Sequence, residues 1–248
     1  MSVDVSANPG VAGREPVRNQ FDDELALLER RTMDGFDQVV TSLERVARAL
    51  RRQDIPLARQ VIGDDDIIDG RYLEVHQSIL TLIATQAPVA GDLRLVAALL
   101  HVTNNMERMG DQCVNVAKLI PLLGHQPPTD EVMLEKLELM ASTVQEQIRH
   151  ARQAFECRDV GMARELVQMD DKVDTLNREC FTRAIEIGDD ADLREWAMTM
   201  MLAARAFERI GDNTVDVGEQ VAFLVTGLFS EFEDASHSHR VSPTVTGG

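Results

Sequence analysis

Apolar side chains recur along most of this chain at alternating spacings of three and four, the period of an amphipathic helix. The clearest run is Val96, Leu99, Thr103, Met106, Gly110, Cys113, Ala117 and Ile120, one seam sustained over about three and a half heptads. Ala197, Met200, Ala204, Phe207, Gly211, Thr214, Gly218 and Val221 form a second. Stop and cap signals are few: Asp54 with Pro56, the stretch Ala87-Pro88-Val89-Ala90-Gly91, Gly124 through Pro127-Pro128-Thr129, Asp159 with Gly161, and Gly188-Asp189-Asp190. They predict six long helices at roughly 20–53, 56–87, 92–123, 130–157, 160–187 and 191–228. Gly110, Gly211 and Gly218 sit on the seams and imply close helix approach, because a helical Gly otherwise costs about 1 kcal/mol against Ala.

The helices come in two sets. Ala49, Asp54, Ala58, Arg59, Asp65, Asp66 and Asp69 match Ala154, Asp159, Ala163, Arg164, Asp170, Asp171 and Asp174 at one constant offset. At a slightly smaller offset, Glu107, Arg108, Gly110 and Asp111 return as Glu208, Arg209, Gly211 and Asp212. A repeat of about a hundred residues exceeds the periods of ~20–50 that mark solenoids, so it points to two fused copies of one unit. The fold class is therefore all-α, two tandem, pseudo-symmetric three-helix bundles at 19–124 and 125–229, joined by the turn at 124–128 and flanked by tails at 1–18 and 230–248. The length of 248 residues suits two such units, and the single Tyr and single Trp fit a helical composition rich in Ala, Leu, Met, Arg, Glu and Gln.

Charge narrows the partners. With 42 acidic against 25 basic residues the formal charge is −17, which disfavours a sequence-independent grip on nucleic-acid phosphates and repels an anionic membrane surface. The longest apolar stretch, Val221 to Phe229, is short and carries Thr226 and Gly227, so no membrane span is expected. No basic region followed by an apolar core opens the chain, and a cytoplasmic protein is expected. Cys113, Cys157 and Cys180 are odd in number and widely spaced, as for reduced, mostly buried thiols rather than a disulfide framework or zinc site.

The candidate chemistry lies on the doubled motif. Glu107, Asp111 and Asn115 are separated by four and four, as are Glu208, Asp212 and Asp216, so each trio stacks on one helix face. At ~100° per residue both trios fall outside the seams and are expected to face outward. Three oxygen donors in a row can hold a hard or borderline cation; equally, the face can be solvated, with Arg108 or Arg209 offsetting the carboxylates. The second copy, with two Asp and one Glu, is the better metal candidate, and the first, with neutral Asn115, the weaker. Asp64-Asp65-Asp66 with Asp69, and Asp170-Asp171 with Asp174, read as acidic helical flanks, since nothing in the sequence ties them to Glu107 or Glu208. His76, His101 and His150 are scattered, and Asp234 and His237 lie in the expected tail with His239. No Glu-x-x-His pair, phosphate loop, Gly-x-Ser-x-Gly elbow or His-Glu-x-x-His element occurs, so no catalytic residue is identified and no enzyme is expected.

Met106-Glu107-Arg108-Met109-Gly110-Asp111 and Phe207-Glu208-Arg209-Ile210-Gly211-Asp212 resemble the paired signatures of the PhoU family, as do the segments around Asp54–Asp65 and Ala87–Arg94. The resemblance covers about residues 20–228. It implies a duplicated three-helix-bundle fold and a negative regulator of phosphate uptake and of the phosphate-starvation regulon. Such a protein acts as an adapter between the ATPase subunit of the phosphate ABC transporter and the phosphate-sensing histidine kinase. It is expected to be cytoplasmic, peripherally associated with membrane complexes, and homodimeric. Some members carry iron or other divalent or trivalent metal ions on these motifs, which implies Glu107, Asp111, Asn115, Glu208, Asp212 and Asp216 as metal ligands. Family members often place a further acid three or four residues before the motif Arg; here Asn104, Asn105, Arg205 and Ala206 stand there, and Arg205 brings a positive charge to the second copy. Two other readings remain: a metal-dependent hydrolase on the carboxylate clusters, and a structural helical module that dimerises.

Overall fold

Six α-helices carry the chain in the computed structural model, which describes residues 15–188 and 190–232, with side chains from residue 20 onward. They are α1 (Glu15–Arg52), α2 (Ile55–Gln86), α3 (Ala90–Leu119), α4 (Glu131–Cys157), α5 (Val160–Glu186) and α6 (Ala191–Thr226). Among the described residues no strand occurs, and no helix is long and apolar enough to cross a membrane. Most of the two expected tails lies outside the described residues.

Aspartates start four of the helices. The side chains of Asp54, Asp130, Asp159 and Asp190 accept from first-turn N–H groups of α2, α4, α5 and α6, satisfying donors that a helix cannot satisfy internally. Asp130 also receives two hydrogen bonds from the Arg183 guanidinium of α5, at 3.0 and 2.6 Å, and this pairing holds its carboxyl below the usual range. Expected and observed boundaries agree within two residues except at the start of α1 and the end of α3. The helix of α1 already begins at Glu15, with Pro16 in its first turn, where a missing N–H and fixed φ are harmless. At its end α3 tightens into a 3₁₀ turn over Ile120–Leu123, because Pro121 cannot donate to the α-helical ladder. Beyond α6 the chain folds back, and the Phe232 N–H donates to Glu219 Oε1 at 2.7 Å.

Helices α1, α2 and α3 pack on one another, as do α4, α5 and α6, and the two sets meet where α3 lies along α6 and α1 along α4. All eight residues of the first seam are buried, the last of them, Ile120, in the 3₁₀ turn that follows α3, and so are all eight of α6. Each of these two helices also buries a second row. On α3 it is Ala98, Val102, Asn105, Met109 and Val116; on α6 it is Ala203, Ala206, Ile210, Asn213 and Val217. A helix at the edge of a three-helix bundle needs one apolar stripe; the second row is buried because α3 and α6 serve each other as partners as well.

Ion pairs bracket the other join. Arg158 reaches Glu29 at 2.6 Å, Arg152 reaches Asp37 at 2.5 Å, Arg149 reaches Glu44 at 2.8 Å and Arg51 reaches Glu138 at 3.3 Å. Residue numbers rise along α1 as they fall along α4, so the two helices run antiparallel. Pairs this exposed contribute about 0.2–1 kcal/mol each, and their main effect is to select one register.

The seam glycines differ in what they admit. A methyl group on Gly218 would lie 2.9 Å from the Ala163 carbonyl oxygen and 2.9 Å from Leu166 Cδ1, so here the α5 backbone itself is close. At Gly110 the neighbours are the Ile68 side chain at 3.2 Å and Asp65 Oδ1 at 3.4 Å, while at Gly211 the methyl would collide with the Asp170 carboxylate. Gly218→Ala is expected to destabilise the protein by about 1–3 kcal/mol through overpacking. Gly63→Ala, where nothing lies within 4 Å, is expected to stabilise it by about 0.5–1 kcal/mol. Urea denaturation of both variants checks the contrast, and equal shifts in one direction would contradict the packing described.

Candidate functional site

The first doubled motif lies on α3 where that helix faces α2. Arg108, Asp111 and Asn115 are exposed and Glu107 is half-buried, in keeping with the outward placement expected for this copy. The acids of α2, however, do not form a separate flank. Burial first, and then the neighbouring carboxylates of Asp69 and Asp111, push the Asp65 carboxyl up to about 6, with Lys118 acting the other way. Glu107 is likewise raised, by burial and then by Asp111, Asp69 and Asp65, against the opposing pull of Arg108. Asp65 and Asp69 of α2 thus share one electrostatic group with Glu107 and Asp111 of α3. Asp64 belongs elsewhere, since it pairs with Arg45 of α1. Asn115 instead donates to Gln112 Oε1 at 3.4 Å.

The second copy has a different environment. The expectation of an outward face fails for Glu208, which is only 4% exposed. Its helix packs against α3, α4 and α5 at once, so a position outside the first seam is still covered. Asp212 and Asp216 are half-buried, and Arg209 is exposed. The cation paired with Glu208 is Arg205, one turn earlier, whose Nη1 donates to Glu208 Oε1. Asp170 and Asp174 of α5, read from sequence as a surface flank, are buried too, at 2% and 8% exposure. Gln147 Nε2 of α4 donates to Asp170 Oδ1 at 3.1 Å, and Arg178 lies 3.7 Å from Asp174. Glu208 Oε2 and Gln147 Oε1 are buried without a hydrogen-bond partner among the described residues.

Sequence reasoning missed Asp65 and Asp69, Asp170 and Asp174, and Gln147 as parts of these groups. One signal was available for the acids, because the same aspartate pair and the same Glu-Arg-x-Gly-Asp motif recur together in both copies. Nothing comparable marked Gln147. Asp234, His237 and His239 lie outside the described residues.

The two groups answer differently to a metal. Asp65, Asp69, Glu107 and Asp111 are hard oxygen donors, and burial together with the negative charge around them raises Asp65 and Glu107, a cost that a hard cation relieves. Among the described residues, no three His, Cys, Asp or Glu side chains are already gathered to hold an ion. In the second copy the Glu208 carboxylate is occupied by a guanidinium, and that set does not fit a metal. The buried thiols are no alternative: burial raises the Cys113 thiol and pushes that of Cys180 up to about 11, well away from the thiolate that would act as ligand or nucleophile.

The PhoU domain family matches residues 33–120 and 137–221, once in each bundle. The chain is 29% identical over 219 residues to the phosphate-specific transport system accessory protein PhoU homolog of Clostridium acetobutylicum, covering 88% of this chain and 99% of that one. The crystal structure of PhoU from Pseudomonas aeruginosa superposes with a TM-score of 0.75 at 28% identity, over 84% of this chain and all of the other. That of the phosphate transport system regulatory protein PhoU from Streptococcus pneumoniae has a TM-score of 0.78 at 22% identity, over 85% and 99%, and shows the shared fold.

Asp65 supplies a test of the first group. A carboxyl whose folded value lies above its ordinary one of 3.8 binds its proton more tightly when folded, so stability is present at low pH and falls as pH rises from about 4 to about 6. Asp65→Asn is expected to match the wild type near pH 4 and to exceed it at neutral pH by on the order of 1 kcal/mol after solvent screening. Urea denaturation across that range measures the difference, and parallel curves would refute the shared group.

Proposed function

Because this chain belongs to the PhoU family, we propose that it is an accessory protein of phosphate transport that restrains uptake and holds the phosphate-starvation regulon off when phosphate is plentiful. The observation that carries this reading is the match of the family once to each bundle, at 33–120 and 137–221, with a complete Glu-Arg-x-Gly-Asp motif in both. The protein works by binding: its partners are the ATPase subunit of the phosphate ABC transporter and the phosphate-sensing histidine kinase, engaged through helical faces by a homodimer in the cytoplasm. Among the described residues neither copy displays a nucleophile with a positioned base, and the hydrolase reading has no observation of its own to favour it. A strain lacking this chain is expected to express phosphate-starvation genes in phosphate-rich medium. Unchanged expression, measured by transcript level beside a complemented strain, would refute the regulatory role.

The metal reading belongs to the first copy. Asp65, Asp69, Glu107 and Asp111 would hold a divalent or trivalent cation, iron included, whose charge offsets their mutual repulsion and ties α2 to α3. This reverses the preference drawn from the sequence, where the second copy had more carboxylates on its own helix. Elemental analysis of natively purified protein is expected to find metal that Asp65→Asn, Asp111→Asn protein lacks and that Asp212→Asn protein retains. The opposite pattern would return the site to the second copy.

A further inference from the structure

We propose that the second acidic group carries its own cation, the Arg205 guanidinium, and that this side chain occupies the place a metal ion would take. The proposal concerns cation binding alone and stands whether or not the chain regulates phosphate uptake.

Glu208 is almost fully buried, and a buried carboxylate persists only beside a compensating charge. Arg205 supplies one from the same helix, three residues away, with its stem along the surface and its head on Glu208 Oε1. A guanidinium is a permanent part of the side chain, so no dissolved ion is needed to supply the charge. Its attachment through the backbone also gives it an effective concentration that a dissolved ion does not match.

Two further acceptor atoms are open to a positive group. Glu208 Oε2 and Gln147 Oε1, both acceptors, are buried and without partners among the described residues. Gln147 Oε1 would stand 3.3 Å from a methyl group on Gly211, a methyl that Asp170 Oδ1 also excludes, so both side chains close on the same point of α6. Removing the guanidinium takes from the Glu208 carboxylate the cation bonded to it, leaving Glu208 and Gln147 Oε1 as oxygen donors of the kind that suits a hard ion such as Mn²⁺. The first copy offers the contrast inside one chain. Counting back from its Glu107, the position matching Arg205 holds Asn104, exposed and uncharged, and there burial and then the Asp111, Asp69 and Asp65 carboxylates raise Glu107 instead.

The experiment titrates Mn²⁺ into the full chain carrying Asp65→Asn and Asp111→Asn, which silences the first group, with bound ion read by electron paramagnetic resonance and stability by thermal unfolding. With Arg205 intact, no Mn²⁺ is expected to bind and the Tm is expected to stay unchanged. Adding Arg205→Asn, the first copy's residue, is expected to create about one Mn²⁺ site per chain and a Tm rise of about 5 °C at a hundredfold excess over Kd. A further Glu208→Gln removes that site. Arg205→Lys, which keeps the charge, is expected to bind no Mn²⁺. If Arg205→Asn folds only in the presence of Mn²⁺, the proposal is likewise supported. Mn²⁺ bound through Glu208 while Arg205 is present overturns it, and so does an Arg205→Asn chain that neither binds Mn²⁺ nor is rescued by it.

Discussion

The packing of α3 along α6 is the contact on which the rest of the molecule depends. Each of these helices closes its own three-helix bundle through one apolar seam, and each offers a second row, Ala98 to Val116 or Ala203 to Val217, to the other. Ala203 and Ala206 keep one end of that α6 row short, and Ile210, Asn213 and Val217 continue it as buried residues. The antiparallel α1–α4 join, with its ion pairs, adds register to that contact rather than most of its stability.

This arrangement also explains why two copies of one motif have different chemistry. Both motifs sit on the helices that meet at the centre, yet Glu107 remains half-buried while Glu208 is enclosed. Enclosure changes what a carboxylate requires. On α3 the acids share their repulsion with α2 and with water, and the result is a group whose Asp65 is shifted up to about 6. On α6 the acid needs a partner in contact, and Arg205 stands one turn away to provide it. Duplication therefore preserved the helix scaffold while the electrostatic content of the two sites diverged.

Much of the scaffold was legible beforehand. Asp54, Asp159 and Asp190 announced helix starts, the three-and-four spacing announced the seams, and each of these signals is local, carried by residues within a turn or two of one another. The membership of Asp65 and Asp69 in the first group was harder to see, because their partners Glu107 and Asp111 lie on the next helix and the spacing along the chain says nothing about which faces meet. Burial of Asp170 and Asp174 was misread for a related reason. Aspartate is so seldom enclosed that an acidic pair defaults to the surface unless its partner, here Gln147 from a third helix, is known.

By itself the sequence determined six helices, their caps, their apolar seams and the duplication, since a helix period and a cap are properties of neighbouring residues. It also determined the family, because the paired motif stands twice at matching places. Only the tertiary structure decided that α3 and α6 bury a second face against each other, that four carboxylates from two helices form one group, and that Glu208 is enclosed beside Arg205. Those outcomes depend on which helix faces come together, and that is settled by packing between segments about a hundred residues apart, where no local periodicity reaches.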